Sequence, residues 1–225
     1  MLVFFSGQVQ CGTRSITVKN NCPEKISIGV LTNGNSDPDG RFDLNKQGSR
    51  TISKPDTWGG RLFANPSCVG ADAKGPHCGN AGAANPATLA EFFFKGANNK
   101  DYYDISLVDG YNIPASITPQ GGSKKGGGDG KNCGSSNCKK LPDCPPNLAI
   151  KDGSGKVIGC QSSCSKTGDP KHCCVGQYDG PDKCKGDKQA SNVKSACPDS
   201  YSFAYDDQTS TFACENPSGY TVTFC

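Results

Sequence analysis

The chain has 225 residues, 34% of them hydrophobic, with one Met, one Trp, 29 Gly and 15 Pro, a turn-rich composition that excludes a helix bundle. Fifteen cysteines point to an oxidising compartment, where thiols become cross-links, and so to a secreted protein. The net charge of +3 divides into a block at 121–197 with 13 Lys against 7 Asp and a mildly acidic remainder; the Lys are scattered around a single aromatic, Tyr178, which argues against nucleic-acid binding.

MLVFF at the N-terminus is apolar for only four residues after Met1, short of a signal-peptide core of roughly 7–15 residues. Residues 1–13 therefore read as the remainder of a signal or as an extension. RSITVKNNC (14–22), KISIGVL (25–31) and FDLNKQGSRTIS (42–53) alternate apolar with polar residues and predict half-buried strands, with SDPDG (36–40) as a turn between the second and third. WGGRLFANPSC (58–68) continues the pattern, and VGADAKGPHCGNAGAANPA (69–87) reads as loop. TLAEFFF and DYYDISLV are the next strands, closed by the turn pair Asp109-Gly110. GGSKKGGGDGK (121–131) reads as a linker or long loop and lacks the order of a phosphate loop.

From Cys133 to Cys197 the cysteines crowd between short Gly/Pro-punctuated pieces, which predicts a subdomain held by bridges rather than by a core. Its one helix is expected within GDKQASNVKSAC (186–197), with Ala190, Val193 and Ala196 on one face and Asp187 as cap. SYSFAYDD, STFAC and YTVTFC return to strand patterns. They suggest that the C-terminus rejoins the first sheet, with Cys22 and Cys225 as staples. No segment is long and apolar enough for a transmembrane helix.

SITVKNNCP (15–23), GRLFANPSC (60–68), TLAEF (88–92), DYYDISLVDGYNIP (101–114), the pair Cys173-Cys174, CPDSYSFAYDD (197–207) and TVTFC (221–225) together resemble the thaumatin-like family, of the pathogenesis-related group 5 type. The resemblance implies a mainly β fold: a flattened β-sandwich (14–120 with 198–225), a shortened loop subdomain at about 66–87, and a disulfide-rich subdomain at 121–197. It also implies the bridges Cys22–Cys225, Cys68–Cys78, Cys133–Cys214, Cys138–Cys197, Cys144–Cys160, Cys164–Cys173 and Cys174–Cys184. Cys11 is left over; family chains begin near Arg14, and a vestige of the signal accounts for the odd thiol, with intermolecular pairing as the alternative. CGNAGAANPA departs from the family pattern by lacking a further Cys pair, so one wall of the family's cleft is altered.

By the same resemblance Arg61, Glu91, Asp104, Asp109 and Asp207 surround an acidic cleft, Asp206 being the competing choice for the last, and Tyr111 is placed with them as a substrate-binding residue. Residues alone would not bring these together: on an unbroken strand Asp104 and Asp109, five apart, point to opposite faces. Such a cleft suits glycoside hydrolysis, which needs one protonated and one ionised carboxyl. Glu91, with apolar flanks, is the candidate acid by desolvation; Asp109, or else Asp104, is the nucleophile or base, and Arg61 restrains repulsion. Tyr102, Tyr103, Tyr111 and Phe93 are available to stack on sugar rings, as they are to pack a core.

The expectation is a secreted, monomeric protein whose acidic cleft binds β-1,3-glucan, with weak endo-β-1,3-glucanase activity as an added capability. A non-enzymatic antifungal, defence or cell-wall-interaction protein is the alternative. No cofactor or metal is expected. Cys160-x3-Cys164 and His172-Cys173-Cys174 have zinc-like spacing, but the implied bridges use every one of those cysteines. His77 and His172, the only histidines, each precede a cysteine, which suits a bystander better than a catalytic base.

Overall fold

Ile16 and Val18 are fully buried in strand β1 (Thr13–Asn20) while Thr13 and Lys19 are exposed, as period-two alternation requires. The computed structural model describes residues 12–33, 35–70, 78–82, 84–123 and 131–225. Cys11, His77, part of the 69–87 loop and most of the Gly/Lys-rich stretch lie outside the described residues. Strands β2 (Ile26–Thr32), β3 (Asn35–Leu44), β4 (Ser49–Pro55), β5 (Gly59–Asn65), β6 (Leu89–Phe93), β7 (Asp101–Ser106), β8 (Gly110–Tyr111) and β9 (Ala115–Gly121) follow. Then come β10 (Ser136–Cys138), β11 (Ala149–Lys151), β12 (Val157–Gln161), β13 (Phe212–Cys214) and β14 (Pro217–Phe224).

Two large sheets enclose one core. A five-stranded sheet has the order β10-β9-β14-β1-β4 and a six-stranded sheet the order β13-β7-β6-β5-β2-β3. The last strand lies parallel to the first, with Ile16 opposite Tyr220, so the C-terminus does rejoin the N-terminal sheet. Tyr220 carries much of the contact between the sheets. Its ring lies 5.1 Å from that of Phe92, 5.6 Å from Phe94 and 5.2 Å from Tyr103. Its hydroxyl donates to Asp101 Oδ2 at 3.0 Å, which also takes Arg14 Nε at 2.8 Å. A buried phenol and a buried carboxylate are tolerable there because each satisfies the other.

A third sheet, β11-β12-β8, joins two strands of the cysteine-rich stretch to β8 at the end of the β7 bend. Among the described residues, four short helices lie in that stretch or beyond it: α1 (Ser163–Thr167), α2 (Pro170–Cys173), α3 (Lys188–Ala196) and α4 (Asp207–Ser210). The expectation of a single helix holds only for α3, which Asp187 caps by accepting the N–H of Ala190 at 2.8 Å. Its buried face is Ala190, Val193 and then Cys197; Ala196 is exposed because the 3.6 period favours the residue after it. Among the described residues seven disulfides form, Cys22–Cys225, Cys68–Cys78, Cys133–Cys214, Cys138–Cys197, Cys144–Cys160, Cys164–Cys173 and Cys174–Cys184, the same pairs that the resemblance implies.

Three strand expectations fail for identifiable reasons. SDPDG is not the turn between strands but a bulge inside β3: Leu31 pairs with Ser36 and Gly29 with Arg41, so 37–40 loop out. Asp37 is buried within that bulge. Burial opposes its charge, but hydrogen bonds from Lys54 and Thr32 prevail and hold its carboxyl below the usual range. Residues 42–53 are two strands, broken at a turn in which Gly48 N–H donates to the Asn45 carbonyl at 2.8 Å. SYSFAYDD is not a strand either. It makes a single bridge between Tyr201 and Ser106, then turns into α4.

Candidate functional site

Arg61 on β5 stands directly opposite Glu91 on β6, and Glu91 directly opposite Asp104 on β7. Residues opposite each other in antiparallel strands share a face, so the three side chains form one row across the six-stranded sheet. Their neighbours Leu62, Ala90 and Ile105 fill the core. The row is therefore on the outer face.

The other two acids arrive by separate routes. Strand β7 ends at Ser106, and the chain doubles back so that Gly110 N–H donates to the Leu107 carbonyl at 3.0 Å. Gly110 has φ +115, and a Cβ there would stand 2.2 Å from the Cys160 carbonyl oxygen, so only glycine makes this bend. Asp109 is thereby swung onto the face of Asp104, against the alternation of an unbroken strand, and its carbonyl is tied to Ser165 Oγ at 2.8 Å. Asp207 heads α4, and its Oδ1 takes the hydroxyl of Tyr201 at 2.8 Å. Tyr201 is stitched to the end of β7 by two backbone hydrogen bonds, to Ile105 and from Leu107, each 2.9 Å.

One hollow of about 350 Å³ is lined by Arg61, Glu91, Asp104, Asp109 and Asp207 together with Tyr201. A second, of about 310 Å³, shares Arg61, Glu91 and Asp104 and extends past Phe93 and Tyr102 to Asn33. The two make one trough, with the Arg61–Glu91–Asp104 row at its middle. None of the described residues of 78–87 lines either hollow.

Tyr111 does not belong to the trough. It retains 4% of its surface, its hydroxyl donates to the Asp143 carbonyl at 3.3 Å, and burial, with Asp143 adding, pushes its phenol up to about 12. Tyr103 is likewise core, 1% exposed; it pairs with Phe92 and so faces inward. Of the four aromatics considered for stacking, Phe93 and Tyr102 reach the trough. Asp206 is also excluded: it is buried, bound to Lys194 Nζ at 2.9 Å and to Ser202 and Thr209, which leaves Asp207 as the trough residue. Tyr201 and Asn33 are trough residues that the pattern did not indicate, the former because its segment reads as a strand.

The electrostatics are those of crowded acids. Burial raises the carboxyl of Glu91 above its usual range, Arg61 works against the rise and Asp109 adds to it. Arg61 Nη1 is 3.9 Å from Glu91 Oε1, too long for a hydrogen bond, so the cation only partly offsets desolvation. Asp104 rises further, through burial and then the charges of Glu91 and Asp207. Its Oδ1 is buried without a hydrogen-bond partner, as is Arg61 Nε. An ionised Asp104 is thus disfavoured, which fits it poorly to the nucleophile or base role and leaves Asp109 for it.

This predicts a stabilising substitution. A carboxyl whose folded pKa is raised ionises first in the unfolded chain, so native stability falls as pH rises from about 4 toward the folded value. Asp104→Asn is expected to raise Tm at pH 7, by about 2–4 °C per kcal/mol released, and to change little at pH 4. Thermal unfolding at the two pH values checks this; an equal change at both contradicts it.

Neither zinc-like spacing holds a metal site, since Cys160, Cys164, Cys173 and Cys174 are all in disulfides. Among the described residues no group of three or more His, Cys, Asp and Glu is arranged to hold a metal ion. His172 lies against Thr167 Oγ1 at 3.2 Å and is not among the residues lining the trough.

Residues 20–225 match the model of the Thaumatin family. The chain is 39% identical over 235 residues to pathogenesis-related protein 5 of Arabidopsis thaliana, covering all of this chain and 95% of that one. It is 37% identical over 228 residues to a protein of Prunus avium named glucan endo-1,3-beta-glucosidase, covering 94% and 90% of the two. Among solved structures, a laminaripentaose-producing β-1,3-glucanase in complex with laminaritetraose superposes with a TM-score of 0.62 over 94% of this chain and 98% of the other. At 13% identity that likeness is one of fold.

Proposed function

The chain belongs to the thaumatin family, and we propose that its trough binds an extended chain of β-1,3-glucan. The observation that carries this reading is the meeting of five groups from four parts of the sequence: Arg61, Glu91, Asp104, Asp109 and Asp207 line one hollow. Ionised carboxylates accept hydrogen bonds from sugar hydroxyls, protonated ones donate, and Arg61 donates only. A site in which crowding keeps some acids neutral suits an uncharged polyol. The name carried by the relative from Prunus avium supports this choice of polysaccharide.

A secreted protein of defence follows from the same reading. The seven disulfides suit an oxidising compartment, no helix among the described residues is long and apolar enough to cross a membrane, and relatives are pathogenesis-related proteins. Binding alone suffices for such a role. Hydrolysis is a second reading, favoured by one specific observation: Glu91 has a raised carboxyl with Asp109 close enough to contribute to the rise, the pairing an acid and a base require.

Incubation of the oxidised protein with insoluble linear β-1,3-glucan tests the binding. Retention is expected, weakened about tenfold or more in Arg61→Gln, the usual worth of hydrogen bonds from a charged donor. Failure to be retained, or equal retention on cellulose and xylan, refutes it.

A further inference from the structure

Phe93 is 57% exposed, the one aromatic among the exposed large hydrophobics of the described residues, and it lines the trough beside Tyr102. It lies two residues beyond Glu91 on β6, hence on the same face and roughly 7 Å farther along the strand. Its cross-strand neighbours are Gly59 on β5 and Tyr102 on β7. Gly59 offers no side chain, so nothing from β5 rises beside the ring. A Cβ at Gly59 would come within 3.2 Å of Phe93 Cδ2, and one at Gly96 within 2.9 Å of both Phe93 Cδ1 and Tyr102 Cδ2. The two glycines let the backbone close on the ring from either side and fix its position. Tyr102 is held too, its hydroxyl donating to the Ala97 carbonyl at 3.2 Å.

The two ends of the trough therefore differ. The end at Asp109 and Asp207 carries acids and the Tyr201 hydroxyl, whereas the end at Phe93 carries two aromatic rings and the amide of Asn33. A pyranose matches the second end: its C–H face is apolar and its edge carries hydroxyls. A flat ring fixed before the ligand arrives loses little entropy on binding.

We propose that Phe93, flanked by Tyr102, is an aromatic subsite that stacks on a glucosyl unit at one end of the trough, outside the central row, and makes affinity depend on chain length. This rests on the glucan reading of the trough. A single unit held at Glu91 and Arg61 does not reach the ring, roughly 7 Å farther along the strand; a chain extended toward that end does. Phe93 thus sets the number of sugar units recognised rather than the chemistry at the row.

Titration calorimetry with linear β-1,3-gluco-oligosaccharides of two to seven units tests the subsite. For the wild type, affinity is expected to step up at the length that first reaches Phe93. Phe93→Ala should remove that step, weakening the longest oligomers by roughly tenfold, the worth of covering the exposed half of a phenyl ring, and leaving the shortest unchanged. Phe93→Leu keeps an apolar side chain without the flat face and should lose the step as well, while Phe93→Trp should keep it. Wild-type affinity for all lengths in Phe93→Ala and Phe93→Leu overturns the subsite, and so does an equal loss at every length, which would place the damage at the central row. A wild type that binds none of the oligomers overturns the glucan reading itself and the subsite with it.

Discussion

Replacing Cys22 and Cys225 together with alanine is expected to lower the free energy of unfolding by about 5 kcal/mol, the largest loss from any single bridge in the chain. The bond closes a loop of 203 residues, and the chain entropy removed from the unfolded state grows with the logarithm of loop length. The Cys68–Cys78 bridge closes only 10 residues, and its paired removal should cost about 3 kcal/mol by the same relation. The native state gives the long bridge further reason to matter. It fastens the end of β14, a strand flanked by β9 on one side and β1 on the other. Backbone bonds from Asn21 to Phe224 and from Cys225 to Pro114, each 2.9 Å, depend on that end staying in place.

Guanidinium unfolding under non-reducing conditions measures both terms. The midpoint should fall further for the Cys22/Cys225 pair than for the Cys68/Cys78 pair. The denaturant slope should rise, because an unfolded chain released from a 203-residue loop exposes more surface. Glucan retention at 25 °C should survive in the folded fraction, since the trough lies on the outer face of the other sheet. A smaller loss for the long bridge than for the short one contradicts the argument.

The fold was legible where one physical signal dominated. Patterning found β1, β2 and β7 as strands, but β2, expected half-buried, is buried on both faces from Ile26 to Leu31, and the Asp109-Gly110 pair marked the bend that swings Asp109 round. The signal failed where two causes compete. SDPDG has the composition of a turn, yet Asp37 finds Lys54 and Thr32 inside the protein, and a buried ionic cluster stabilises a bulge that composition cannot foresee. The trough was half legible. Glu91 and Asp104 stand out as acids among aromatics, but their alignment with Arg61 is a matter of register across three strands, which no local pattern contains. Tyr111 shows the converse error. It is aromatic, close in sequence to Asp109 and inside a motif of the family, yet β8 pairs with β12 and turns the ring into the core. Proximity to a site residue does not fix the direction of a side chain; the hydrogen-bonded partner strand does.

If the trough hydrolyses what it binds, Glu91→Gln should lower the release of reducing ends from β-1,3-glucan by about 10²–10⁴-fold, the usual worth of a general acid, while retention on the polymer changes little. Gln keeps the shape and hydrogen-bonding reach of Glu and removes only the transferable proton. Asp109→Asn should cost as much, because the leaving oxygen's proton is of no use without an ionised partner to attack the sugar or to activate water. The pH profile separates Glu91 from Asp104. Glu91's carboxyl is raised by burial and by Asp109, so the rate should fall on the alkaline side as Glu91 loses its proton, at a pH above the ordinary carboxylate range. Asp104's carboxyl is raised too, by burial and by the charges of Glu91 and Asp207; if it keeps its proton while Glu91 titrates, Asp104→Asn removes no charge and the alkaline limb should stay where it was. A limb that moves to lower pH in Asp104→Asn would mean that Asp104 is ionised and had been holding Glu91's proton on. A wild type that stays on the glucan yet frees no reducing ends reduces the trough to a binding surface, in which the raised carboxyls serve as hydrogen-bond donors to hydroxyls and Glu91→Gln has no rate to lose.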